Sequence, residues 1–168
     1  NQLELYKVLI DAARGHDGGP VGSRALSVLR IEKGYGSWGR EYSPEYWPQE
    51  SGMEALIQLD KDFLNKDAYL AIKDRTPREK LSMFEIDITE NADAGGGEPI
   101  FTPEGVPVGR VTSGAYGYSV EASLAVGYVN PAVVGPGDEV EVFILGKPHK
   151  ARILAAPPFD PDGLRLRA

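Results

Sequence analysis

The sequence predicts an α+β protein: an incomplete N-terminal α/β segment followed by a C-terminal antiparallel β-barrel. Three observations lead there. Up to residue 76, apolar residues recur mainly at helical spacing between Gly/Pro-rich breaks. From residue 77 onward, short alternating stretches follow one another at roughly ten-residue spacing with Gly and Pro turns between them, the pattern of a closed or nearly closed barrel. The length of 168 residues, 42% of them apolar, suits one large domain, or one small domain plus part of another. The division falls at Asp74-Arg75-Thr76-Pro77-Arg78, giving segments 1–76 and 77–168. The first is near the roughly 70–80 residues below which a core rarely stands alone; the second is able to fold by itself.

The elements follow in order. Leu3, Tyr6, Leu9, Ile10 and Ala13 form one apolar face of a helix over residues 1–14, stopped by Gly15 and Asp17-Gly18-Gly19-Pro20. Ser23 is placed to cap a second helix that carries Ala25, Leu26 and Leu29 on one face. Residues 35–52 lack periodicity and read as irregular. Met53 to Leu59 reads as a strand. Asn65 reads as the cap of a third helix burying Ala68, Tyr69 and Ile72, ended before Pro77. Strands are expected at Lys80 to Ile88, around Pro99-Ile100-Phe101 and Gly105 to Thr112 as a hairpin, and at Ser123 to Val129, Glu139 to Leu145 and Lys147 to Leu154. Gly95-Gly96-Gly97 is a turn.

Composition narrows the function classes. With 18 basic and 25 acidic residues the net charge is −7, which argues against nucleic-acid and anionic-membrane partners. No stretch approaches the roughly 18 apolar residues of a membrane span. There are no cysteines, hence no thiolate nucleophile and no cysteine metal site. His16 and His149 sit in no metal-ligand spacing and support no Ser-His-Asp set, so no metal is expected. No dinucleotide fingerprint follows the Gly-rich stretch 15–22. Asn1-Gln2-Leu3-Glu4-Leu5, without initiator Met or signal pattern, reads as cut from a longer chain; the expected location is cytoplasmic, or the mitochondrial matrix in a eukaryote.

Two blocks carry a resemblance. Leu29-Arg30-Ile31-Glu32-Lys33-Gly34, then Trp38-Gly39-Arg40-Glu41 and Pro48-Gln49-Glu50-Ser51-Gly52, form the first. Gly109-Arg110-Val111-Thr112-Ser113-Gly114, Ala115-Tyr116-Gly117-Tyr118-Ser119 and Ser123 to Val129 form the second, with Pro136-Gly137-Asp138 and Val140 to Lys147 behind it. Together they resemble the glycine cleavage T-protein (aminomethyltransferase) family. Lys61-Asp62-Phe63 with Leu70, and the Tyr-Gly-Tyr-Ser variant, resemble its dimethylglycine and sarcosine dehydrogenase branch, although Asn65 stands where that pattern has Gly. The resemblance runs from about residue 20 to the end.

What the resemblance implies is a module binding tetrahydrofolate, which accepts a one-carbon unit. Glu32 matches the pterin-binding position: a pterin offers two parallel donors and a carboxylate two acceptors. Read from the residues alone, Glu32 is rather a helix-end carboxylate paired with Arg30 or Lys33, and only the resemblance favours the pterin. Tyr35 and Trp38 are candidate aromatic walls for the cofactor, with ordinary packing as the alternative. Arg24, Arg30 and Arg40 read as structural or solvated rather than as partners of the folate glutamate tail; Tyr116 and Tyr118 point the same way, in barrel packing or, as the alternative, at the ligand mouth; His149 is without a role. The family's catalytic Asp lies outside this chain, so no catalytic residue is assigned. FAD would belong to the N-terminal part of a parent dehydrogenase, which, or another subunit, would be the partner, and an N-methyl amine the substrate. The alternatives are a flavin-free aminomethyltransferase and a non-catalytic β-barrel interaction module.

Overall fold

A computed structural model describes residues 1–88 and 92–168. Helix α1 spans Gln2–Arg14 and begins where the Asn1 side chain accepts the Leu3 N–H at 3.2 Å. None of its residues is buried, and Leu3, Tyr6 and Leu9 stand in solvent. Helix α2 spans Ser23–Glu32; Gly22 is its cap residue, so Ser23, expected as the cap, is instead the first helical residue and makes no capping bond. Its extended Gly22 (φ −76, ψ 145) already supplies the non-helical entry that a cap needs. Only the end of α2, Ile31 and Glu32, is buried.

Residues 33–79 hold short helices and turns. Helix α3, Pro48–Ser51, has Pro at its start and left-handed Gly52 at its end. Helix α4 is Lys66–Leu70. The strand expected at Met53 to Leu59 is not there: Glu54–Leu56 forms one 3-10 turn. A short apolar run without a neighbouring edge to pair with has no ladder to complete. The third helix is shorter than expected and buries no residue; Ala68 is exposed, Tyr69 and Ile72 half-buried, and Asn65 enters with φ +64 and no side-chain cap.

Six antiparallel strands close a barrel in the order β1-β4-β3-β2-β5-β6: β1 Lys80–Ile86, β2 Pro99–Phe101, β3 Pro107–Gly117, β4 Ala122–Val129, β5 Glu139–Ile144 and β6 Lys147–Leu154. The interior is filled by Phe84, Ile86, Ile100, Val111, Val142 and Ile153 among others. Strand β1 ends at Ile86, two residues earlier than expected, once its pairing with β4 and β6 is complete. Strand β4 is buried on both faces. Ala125 and Val129 point into the barrel, while Leu124 and Val126 meet Ile31 of α2 on the outside together with Met83. That double burial accounts for the unalternating run Leu124-Ala125-Val126-Gly127-Tyr128-Val129. The outer apolar patch seats the end of α2 against the barrel wall and positions Glu32.

Candidate functional site

Glu32 is the last residue of α2 and is 1% exposed. Its Oε1 accepts the Ser119 N–H at 2.8 Å, from the turn between β3 and β4. Its Oε2 is equally buried and has no hydrogen-bond partner among the described residues. Neither cation expected to neutralise it does so: Arg30 turns to Glu41, and Lys33 to Asp160. Gly117 makes the approach of turn and helix possible. A Cβ there would lie 3.0 Å from Glu32 Cγ, 2.9 Å from Val120 Cγ2 and 3.0 Å from Leu124 Cδ1. Beside the carboxylate lies a cavity of about 310 Å³, walled by Arg24, Val28 and Leu29 of α2 and by Tyr118 and Ser119 of the turn.

Burying a carboxylate oxygen without a donor is costly, and native structures rarely leave one so. The arrangement suits a ligand that brings N–H donors to Glu32 and a flat apolar body to Leu29, Val28 and the Tyr118 ring. Tyr118 itself is edge-on to Tyr116, centroids 5.1 Å apart, as expected from their spacing. Tyr35 and Trp38 do not line this cavity. Tyr35 is 49% exposed, and Trp38 is 82% exposed with its ring edge-on to Tyr42 at 5.9 Å. The chain turns away from the cavity after α2 because Gly34 takes a left-handed φ of +72.

The remaining motif residues form two other buried centres. Glu41 is fully buried; its Oε1 accepts from the hydroxyls of Thr112 (2.5 Å) and Ser113, and its Oε2 from Ser37 N–H (2.7 Å) and Arg30 (3.2 Å). Arg30 also donates to Ser113 Oγ at 2.8 Å and to the Tyr35 carbonyl at 3.1 Å. Successive strand residues normally point to opposite faces; the register shift between Val111 and Ser113 lets both hydroxyls reach one carboxylate. Burial alone would push the Glu41 carboxyl up, but the hydrogen bonds from Ser113, Thr112 and Ser37 and the charge of Arg30 outweigh it and hold it below the ordinary value. Glu50, also fully buried, accepts from Arg78 Nε, Nη2 and backbone N–H at 2.8, 2.7 and 3.0 Å and from Trp47 N–H at 2.9 Å. The Arg78 side chain, the largest influence, brings its pKa down to about 2.

Sequence reasoning singled out Glu32 but missed its nearest partners. The Ser119 contact is through the backbone and leaves no side-chain signal. Gly117, a small residue between two tyrosines, was a signal available to it. Among the described residues no group of three or more His, Cys, Asp or Glu is placed to hold a metal ion, and no helix is long and apolar enough to cross a membrane.

The profile of the glycine cleavage T-protein C-terminal barrel domain matches residues 79–160, and that of the GCVT N-terminal domain matches residues 1–61. The chain belongs to the glycine cleavage T-protein family. Mitochondrial dimethylglycine dehydrogenase of Mus musculus is 36% identical over 155 residues, 91% of this chain and 18% of that protein. A probable aminomethyltransferase of Haloarcula marismortui is 33% identical over 144 residues, 84% of this chain and 39% of that protein. The crystal structure of glycine cleavage system aminomethyltransferase T from Bartonella henselae superimposes with a TM-score of 0.74 at 26% identity, over 84% of this chain and 40% of that one. The chain thus spans well under half the length of these glycine cleavage T-protein relatives.

Proposed function

We propose that this chain is the folate-binding portion of a dimethylglycine- or sarcosine-dehydrogenase-like demethylase, in which Glu32 holds the pterin of tetrahydrofolate. The carrying observation is the Glu32 carboxylate: buried, with one oxygen tied to Ser119 and, among the described residues, no cation and no donor for the other oxygen, beside a cavity. A pterin supplies donors for such a group, and charge-assisted bonds in a site shielded from water give orientation as well as affinity. When bound, tetrahydrofolate would supply the nitrogen nucleophile that accepts the one-carbon unit. Glu32 orients the ring, Tyr118 and Leu29 bound its faces, and the catalytic Asp and the FAD belong to the rest of the protein. Tyr35 and Trp38, exposed beyond the end of α2, are available as aromatic surface to that remainder rather than to the Glu32 cavity.

The similarity to mitochondrial dimethylglycine dehydrogenase supports the dehydrogenase reading, and the similarity to aminomethyltransferases keeps a flavin-free transferase as the second. The full-length protein separates them: bound flavin and oxidation of an N-methyl amine favour the first. Tetrahydrofolate titration of the full-length protein carrying Glu32→Gln tests the pterin role. Loss of a charged acceptor is expected to cost about 1.5–3 kcal/mol of binding; unchanged affinity overturns it.

A further inference from the structure

We propose that the segment following β6, residues 155–168, is a strap that sets the position of the Glu32 carboxylate, with Lys33 and Asp160 as its positioning residues. The proposal rests on the pterin-binding reading of Glu32. Helix α2 ends at Glu32, so the carbonyl of Glu32 is among the last that find no partner within the helix. The strap supplies one: the Phe159 N–H donates to the Glu32 carbonyl at 3.3 Å. The next side chain is held from the same segment. Lys33 Nζ donates to the Asp160 carbonyl oxygen and lies 3.2 Å from its Oδ2, with the two side chains only 15% and 8% exposed.

Asp160 is itself built for this task. It sits at φ +47, its Oδ1 accepts the Arg165 N–H at 3.2 Å and its carbonyl accepts the Gly163 N–H at 2.9 Å. One residue therefore closes the turn of the strap and anchors it to Lys33. Pro157 packs where the chain leaves α2, so closely that a Cβ on Gly34 would lie 2.7 Å from Pro157 Cγ. Glu32 is thus gripped from both sides: its carboxylate and Cγ by Ser119 and Gly117, its main chain and the following residue by the strap. Helix ends open more readily than helix centres. Releasing the strap would let the last turn of α2 sample other geometries while the barrel stays folded, spreading a carboxylate that binding needs in one place.

The test uses the full-length protein with Lys33→Met and Asp160→Asn, each also combined with Glu32→Gln. Tetrahydrofolate affinity is measured by calorimetric titration, and thermal unfolding in parallel. Asp160→Asn keeps the shape and main-chain acceptor of the strap and so guards against simple misfolding. Each single change is expected to weaken binding by about tenfold, the size of coupling seen between residues in contact. In the Glu32→Gln background it should weaken binding by less than about twofold. A lower unfolding temperature with wild-type affinity would mean the clamp serves only stability and would overturn the strap. Equal losses with and without Glu32 would overturn it too. If Glu32→Gln alone leaves affinity unchanged, the pterin reading itself falls; if Glu32→Gln weakens binding and the clamp variants do not, only the strap falls.

Discussion

Glu41 and Glu32 lie at opposite ends of the same short stretch, both almost completely buried, and their surroundings differ in one respect. Glu41 has donors on both oxygens, a cation among them. Among the described residues Glu32 has one backbone donor, no cation and an oxygen left over. A buried carboxylate with every acceptor engaged is an architectural device, joining α2, the loop after it and β3 at one point. A buried carboxylate left partly unengaged beside a cavity suits the binding role proposed for Glu32. The two residues come from the same sequence motif block, and only the accounting of their hydrogen bonds separates the roles.

The largest effect is expected when Glu41 is left, like Glu32, without a cation. Arg30→Met strands a buried charge and should cost about 3–5 kcal/mol in chemical unfolding. Glu41→Gln/Arg30→Met should be milder than Arg30→Met alone, because no charge is then stranded, though not neutral, since Arg30 also holds Ser113 and the Tyr35 carbonyl. Equal effects would mean that Glu41 is not relying on its cation.

The Glu50 centre extends the same logic to pH. Its folded pKa lies at about 2, below the ordinary 4.5. A depressed carboxylate contributes stability that is complete above the unfolded value and lost as pH falls through the folded one. Stability should therefore decline from about pH 4.5 toward about pH 2. Unfolding measured against pH should show a shallower decline for Glu50→Gln, an effect smaller than that of Arg30→Met. An unchanged slope would remove Glu50 from the account.

How far these roles could be read in advance depends on how local their causes are. The barrel was legible because alternation and turn residues are local signals: β5 and β6 fall where Glu139 to Leu145 and Lys147 to Leu154 were expected, to within one residue. Met53 to Leu59 misled because a short apolar run carries no period of its own. Glu32 was singled out by resemblance; Arg30 was read as structural or solvated, but its partners were not assignable, since Ser113 is 83 residues away and a register shift in β3 brings it there. Tyr35 and Trp38 were drawn to Glu32 by proximity in sequence, which the left-handed Gly34 undoes. The strap carries no periodicity, and nothing in Pro157 to Asp160 announces which helix it grips.

A smaller effect tests how Glu32 is placed. Gly117→Ala puts a methyl against Glu32, Val120 and Leu124 side chains. Side chains can give where backbone cannot, so overpacking should cost about 1–2 kcal/mol, read from the unfolding midpoint. Tetrahydrofolate binding should fall as well, because one of the three neighbours that must move is the acceptor itself. Stability lost with binding intact would show that the carboxylate does not need its present position.

The smallest change in stability is expected at Glu32 itself. Glu32→Gln retains an amide oxygen for the Ser119 N–H and removes a buried charge that has no cation. It should shift unfolding by less than about 1 kcal/mol, and the shift can be toward greater stability, since the protein no longer buries an uncompensated charge. The same substitution at Glu41 leaves four donors facing a group able to accept from fewer of them, so it should destabilise the fold. A pair of titrations and unfolding curves on these two variants sets the roles against each other. Binding lost at constant stability for Glu32, and stability lost for Glu41, is the outcome that keeps them distinct. Large destabilisation by Glu32→Gln would mean that its carboxylate is architectural after all.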